Sequence, residues 1–169
     1  MDRDVFRRNA EEAFGTVGAA MTANVLTFEP EMRASDAALR LGALGVAGAP
    51  VLEGNRVVGV ITLRDLLERE GHADPPTSGP FLRGERHLAS LKVADVMTLH
   101  AVTIRATEPL VRAIDLMDAV GINRLPVVDG EDRCVGILTR DDVIRAVARV
   151  VRELTAVGAH PGAPELEPD

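Results

Sequence analysis

Two stretches of this chain, "VGAAMTANVLTFEP" (Val17 to Pro30) and "VADVMTLHAVTIRA" (Val93 to Ala106), align without a gap at a spacing of 76 residues. The alignment pairs Met21 with Met97, Thr22 with Thr98 and Thr27 with Thr103, and it continues through Ala37 with Ala113, Gly45 with Gly121, Pro50 with Pro126 and Gly54 with Gly130. One extra residue in the second copy then moves the spacing to 77, at which Gly59 meets Gly136, Thr62 meets Thr139 and Asp65 meets Asp142. A single insertion at a turn is the change a shared fold tolerates best. A duplication constrains the fold more than any motif does, because one set of local rules must build both halves.

Within each copy the local signals run in one order. "VLTF" and "AVTI" are short β-rich pieces. Leu110, Ala113, Ile114, Met117 and Gly121 then follow helical spacing, as do Ala34, Ala37, Ala38, Leu41 and Gly45, with glycine closing each helix. "PVLEGNRVVGVIT" and "PVVDGEDRCVGILT" predict two β-hairpins, each followed by an amphipathic helix, over Arg64 to Glu70 and Asp141 to Leu154. Each half is thus β-α-β-β-α, and the fold class is mixed α/β (α+β). The expected organisation is an N-terminal helix over 1–16 docked on the first repeat, repeat one over 17–70, an exposed Pro- and Gly-rich linker over 71–92, repeat two over 93–154, and a disordered tail over 155–169. A unit of about 50 residues buries too little surface to be stable alone, so the halves are expected face to face about a pseudo-twofold axis.

At 46% hydrophobic and 27% charged residues the composition is that of a globular protein, and with 2% aromatic residues its core must be aliphatic. No apolar run approaches the roughly 20 residues that span a bilayer, and the basic N-terminus leads into no uncharged segment, so a cytoplasmic protein without membrane contact is expected. Cys134, the only cysteine, has no internal disulfide partner and reads as a small core residue. His72, His87, His100 and His160 are scattered without ligand spacing, so no metal site is expected. A net charge of -7 opposes nonspecific nucleic-acid binding, which relies on basic residues neutralising phosphates.

The repeated Thr-x-x-Asp, Thr62 with Asp65 and Thr139 with Asp142, admits two accounts. One is a capping box: the threonine accepts a backbone N–H three residues on, while the acid reaches back to the cap N–H, a device worth about 1 kcal/mol. The other is a ligand site, since a helix N-terminus after a strand gathers free N–H groups and a positive dipole, and a carboxylate beside it can accept from vicinal hydroxyls. The two are compatible. No nucleophile-base pairing recurs in the repeats and no Gly-rich Walker loop is present, so an enzyme is not expected and no catalytic residue or catalytic cofactor is assigned.

The segments "VADVMT", "AVTI" and "AIDLMDAVGINRLPVVDGEDRCVGILTRDDVI", with the first-copy counterparts "AAMT", "VLTF" and "AALRLGALGVAGAPVLEGNRVVGVITLRDLL", resemble the two halves of a CBS (cystathionine beta-synthase-type) domain pair from Val17 to about Val151. The resemblance implies a disc-like module that forms homodimers, binds an adenosine-containing ligand (AMP, ADP, ATP or S-adenosylmethionine) for regulation, and is read by a partner protein. It places ribose-binding carboxylates at Asp65 and Asp142, supported by Thr62 and Thr139. Each cleft would borrow residues from the opposite repeat, so that Asp65 faces Thr98, Val102, Ile122, Asn123 and Arg124, and Asp142 faces Thr22, Leu26, Val46, Ala47 and Gly48. Because Asn123 and Arg124 correspond to Ala47 and Gly48, the Asp65 cleft is expected to bind a phosphorylated nucleotide and the Asp142 cleft to be weak or empty. The competing expectation is a structural dimerisation module with no physiological ligand.

Overall fold

The computed structural model describes residues 3–71 and 88–158. Helices α1 (Arg3–Phe14) and α2 (Val17–Ala20) lead into β1 (Thr22–Ala23); α3 (Ala34–Leu44), the hairpin β2 (Gly48–Glu53) and β3 (Arg56–Thr62), and α4 (Leu63–Gly71) complete the first half. The second half runs α5 (Val93–Val96), β4 (Thr98–Leu99), β5 (Ile104–Arg105), α6 (Leu110–Val120), β6 (Arg124–Val128), β7 (Cys134–Thr139) and α7 (Arg140–Gly158). Apart from β5, which has no full strand as its counterpart, the two halves show the same order, as the duplication requires. Even the irregularities are copied: both hairpins shift register at equivalent places, Val51/Leu52 and Val127/Val128.

Local chemistry explains the common parts. Helices α3 and α6 stop at Gly45 and Gly121, whose φ of 63° and 71° lies in the left-handed region that glycine enters without penalty. Their inward faces carry Ala34, Ala37 and Leu41, and Leu110, Ala113 and Met117, all buried. The first β-rich piece is shorter than its pattern suggests. In the second half it forms β5, parallel to β6, whereas in the first half it contracts to one bridge between Phe28 and Val51.

The sheets are β1-β7-β6-β5 and β2-β3-β4, so each is completed by a two-residue strand from the other half. Thr22 pairs with Ile137 and Ala23 with Gly136, while Thr98 pairs with Val60 and Leu99 with Gly59. Glycine is required at the receiving positions, since a Cβ on Gly59 would stand 2.7 Å from the Thr98 carbonyl oxygen and one on Gly136 would stand 2.6 Å from that of Thr22.

The segments before these strands cross over as well. Val17 and Gly18 donate to the carbonyls of Glu108 and Ala106, and Val93 and Ala94 donate to those of Met32 and Pro30. Val17 therefore belongs to the core built on Leu110, Leu125, Val127 and Leu138, and Val93 and Val96 belong to the core built on Phe28, Leu41, Val51 and Ile61. Each fully buried aliphatic side chain contributes about 1.5–3 kcal/mol, so the exchange ties the folding of each half to the other. It also corrects one expectation. Helix α1 packs chiefly on α6 and α7 of the second repeat, because the chain that follows it is bonded to residues 106–110.

Both cores are aliphatic apart from Phe28 among the described buried residues. Cys134 is half-buried at the start of β7 instead of deep in the core; its thiol donates to the Gly136 carbonyl at 3.7 Å, and burial pushes it up from the usual thiol range. Most of the expected linker and the end of the expected tail, 72–87 and 159–169, lie outside the described residues, while 155–158 continue α7. No helix among the described residues is long and apolar enough to cross a membrane.

Candidate functional site

Two clefts open where the strand-to-helix junctions of one repeat meet borrowed segments of the other. The first, about 520 Å³, is walled by Thr62 and Asp65 from the β3–α4 junction, Thr98 and Val102 from β4 and the chain after it, and Ile122, Asn123 and Arg124 from the approach to β6. These are the residues that the resemblance placed together. The second, about 600 Å³, is walled by Thr139 of the β7–α7 junction together with Thr22, Leu26, Val46, Ala47 and Gly48. The carboxylate of Asp142 is not on that wall.

The two Thr-Asp pairs have one architecture. Asp65 Oδ2 accepts the Thr62 N–H at 2.8 Å and the Thr62 hydroxyl at 2.7 Å, and the Asp65 N–H donates back to Thr62 Oγ1 at 3.2 Å. Asp142 Oδ2 repeats this with Thr139 at 2.7, 2.6 and 3.3 Å. Both are reciprocal caps at helix starts, with the acid complementing the helix dipole.

They differ at the second oxygen. Asp142 Oδ1 accepts from Thr22 Oγ1 at 3.3 Å and from Arg145 Nη2, and the residue is 3% exposed. The side-chain bonds to Asp65 among the described residues all end on Oδ2, and Asp65 is part of its cleft wall. One junction thus keeps its aspartate in the cleft wall, with the side-chain bonds among the described residues on Oδ2 alone. The other does not.

Arg124 is common to both cleft walls, as are Ala47 and Asn123. Its guanidinium occupies the space that a side chain at Gly48, its own counterpart, would need: a Cβ there would stand 1.9 Å from Arg124 Nη1. Glycine at position 48 therefore makes room for the arginine. Burial lowers the Arg124 pKa, and the charge of Asp65 acts in the opposite direction. A guanidinium stays protonated through such shifts, so the first cleft sets the Arg124 cation and the Asp65 carboxylate in one wall, with Arg64 beside them and Val60, Val102, Val120 and Ile122 as its aliphatic part.

Repeat comparison by itself passes over His100, Arg64, Val25, Arg140 and Arg145, which also line the clefts. Arg145 had a readable signal: the same offset of 77 that joins Asp65 to Asp142 puts Glu68 opposite it. His100, with a φ of 53°, shares its left-handed backbone with its repeat partner Asn24, at 51°.

The family model described as CBS domain matches residues 17–71 and 93–149. The chain belongs to the CBS domain family. Its CBS pair is similar to the crystal structure of CBSX2 of Arabidopsis thaliana in complex with AMP, at 31% identity and a TM-score of 0.67, covering 81% of this chain and 98% of that one. A CBS domain-containing protein of Dictyostelium discoideum is 33% identical over 123 residues, 69% of this chain and 80% of that protein. The uncharacterized protein MJ1232 of Methanocaldococcus jannaschii is 28% identical over 132 residues; the match takes in 78% of this CBS chain but only 39% of that longer relative.

Proposed function

We propose that this CBS pair is a regulatory module that binds an adenosine nucleotide in the Asp65 cleft, with the Asp65 carboxylate accepting from the ribose hydroxyls and the Arg124 guanidinium meeting the phosphate. The observation that carries this reading is the wall itself: an acid with an oxygen unused by the described residues, a half-buried arginine, and Val60, Val102, Val120 and Ile122 around them to hold a flat base. The likeness to CBSX2, solved with AMP, supports the same ligand class. Binding would tie segments of the two repeats to one ligand, and a partner protein would read the change; such coupling requires different affinities for two states of the module. The exposed apolar stripe Ile144, Val147, Val151 and Leu154 on α7, with Leu67 on α4, supports association with a second copy.

Calorimetric titration with AMP tests the reading. Asp65→Asn keeps a carbonyl oxygen for the cap but loses the charged acceptor; a hydrogen bond to a charged group is worth about 1.5–3 kcal/mol, so AMP affinity should fall about tenfold or more. The second reading, a structural module without a ligand, rests on the fact that the caps alone account for both aspartates. No heat and no thermal shift with AMP, ADP, ATP or S-adenosylmethionine would decide for it.

A further inference from the structure

The two clefts descend from one duplicated design, yet they differ at a position neither the caps nor the nucleotide reading uses. Three residues after each aspartate, on the same helical face, stand Glu68 in α4 and Arg145 in α7. Arg145 reaches back one turn to Asp142 Oδ1, and Thr22 of the borrowed strand β1 approaches the same oxygen. With Oδ2 held by the Thr139 N–H and hydroxyl, the carboxylate has no oxygen left for a ligand and is 3% exposed. An acidic side chain at position 68 cannot do this to Asp65, because two carboxylates repel.

We propose that Arg145 decides the occupancy of the second cleft: by holding Asp142 Oδ1 it withholds the carboxylate that the first cleft offers, so the chain takes one adenosine nucleotide and not two. This rests on the Asp65 cleft being the nucleotide site. The lack of polar side chains at Ala47 and Gly48 does not produce the same result, since Asn123 and Arg124 line the second cleft too. Arg145 is therefore a specificity-determining residue that acts through Asp142.

The reciprocal exchange of the two residues tests it. In calorimetry of the full chain with AMP, the unaltered protein should bind one equivalent. Arg145→Glu, which gives Asp142 the neighbour that Asp65 already has, should raise the stoichiometry to two. Glu68→Arg, on an exposed helical position, should lock Asp65 and weaken the single site about tenfold or more, the loss of one charge-assisted hydrogen bond. Should Arg145→Glu fail to fold, Glu68→Arg decides the matter alone. Two equal sites in the unaltered protein, one site in a folded Arg145→Glu variant, or full affinity in Glu68→Arg would each overturn the proposal while leaving the Asp65 site standing. Failure of the unaltered protein to bind AMP at all would instead remove the nucleotide reading and this proposal with it.

Discussion

Arg124 and Gly48 are repeat counterparts, and the guanidinium of the first fills the side-chain space of the second. The relationship sets an asymmetric feature on the pseudo-twofold axis, where a faithful duplicate would have placed two equal side chains in conflict.

Gly48→Ala should therefore be destabilising. The new Cβ would meet Arg124 Nη1 at 1.9 Å and the Ile61 carbonyl oxygen at 2.8 Å, and the second contact is backbone that cannot swing aside. Overpacking of this kind costs about 1–3 kcal/mol, or a melting temperature lower by roughly 2–4 °C per kcal/mol in a chain of this size. Thermal denaturation checks it. Combining the change with Arg124→Ala should recover only part of the loss, because the carbonyl contact remains.

Arg124→Ala separates phosphate from nucleoside. On the proposed reading it weakens AMP about tenfold and leaves adenosine nearly unchanged, since a charge-assisted hydrogen bond to phosphate is lost while the ribose carboxylate stays. Calorimetry with both ligands reads the ratio. Equal losses for the two would place the arginine's role in packing.

The caps should respond unequally. Thr62→Ala and Thr139→Ala each remove a hydroxyl that both donates to and accepts from the aspartate pair, a loss of about 0.5–2 kcal/mol. Thr139→Ala should be the costlier, because Asp142 is buried and a buried carboxylate deprived of a donor cannot turn to water, whereas Asp65 lines an open cleft. Chemical denaturation of the two variants checks the order.

Asp129 introduces a pH dependence in the β6–β7 turn. Its oxygens accept the Glu131 N–H at 2.9 Å, the Arg133 N–H at 3.0 Å and Arg133 Nε at 2.8 Å, and the Arg133 backbone bond contributes most to holding the carboxyl below its ordinary value. A carboxyl depressed by folding stabilises above its unfolded pKa, and the contribution disappears as pH falls through the folded value. The difference in melting temperature between the unaltered chain and Asp129→Ala should thus be present at neutral pH and shrink on acidification below the usual carboxylate range. A difference constant down to strongly acid pH would show that the turn is held by the backbone alone.

What the amino-acid order determined by itself is the repeated part: the β-α-β-β-α order, the helix ends at Gly45 and Gly121, the hairpins, and the Thr62–Asp65 and Thr139–Asp142 pairs. These are local, set by residues within one turn or one hairpin of each other, so periodicity and glycine chemistry report them directly. Tertiary structure alone decided that α1 lies on the second repeat, that β1 and β4 change sheets, that Arg124 fills the place opposite Gly48, and that Thr22 closes on Asp142 from the other repeat. Each joins residues distant in the chain or selects between two partners that local pattern treats alike. The reason is physical: a duplicated sequence prescribes two equal halves, and only close packing across their axis shows which half must give way.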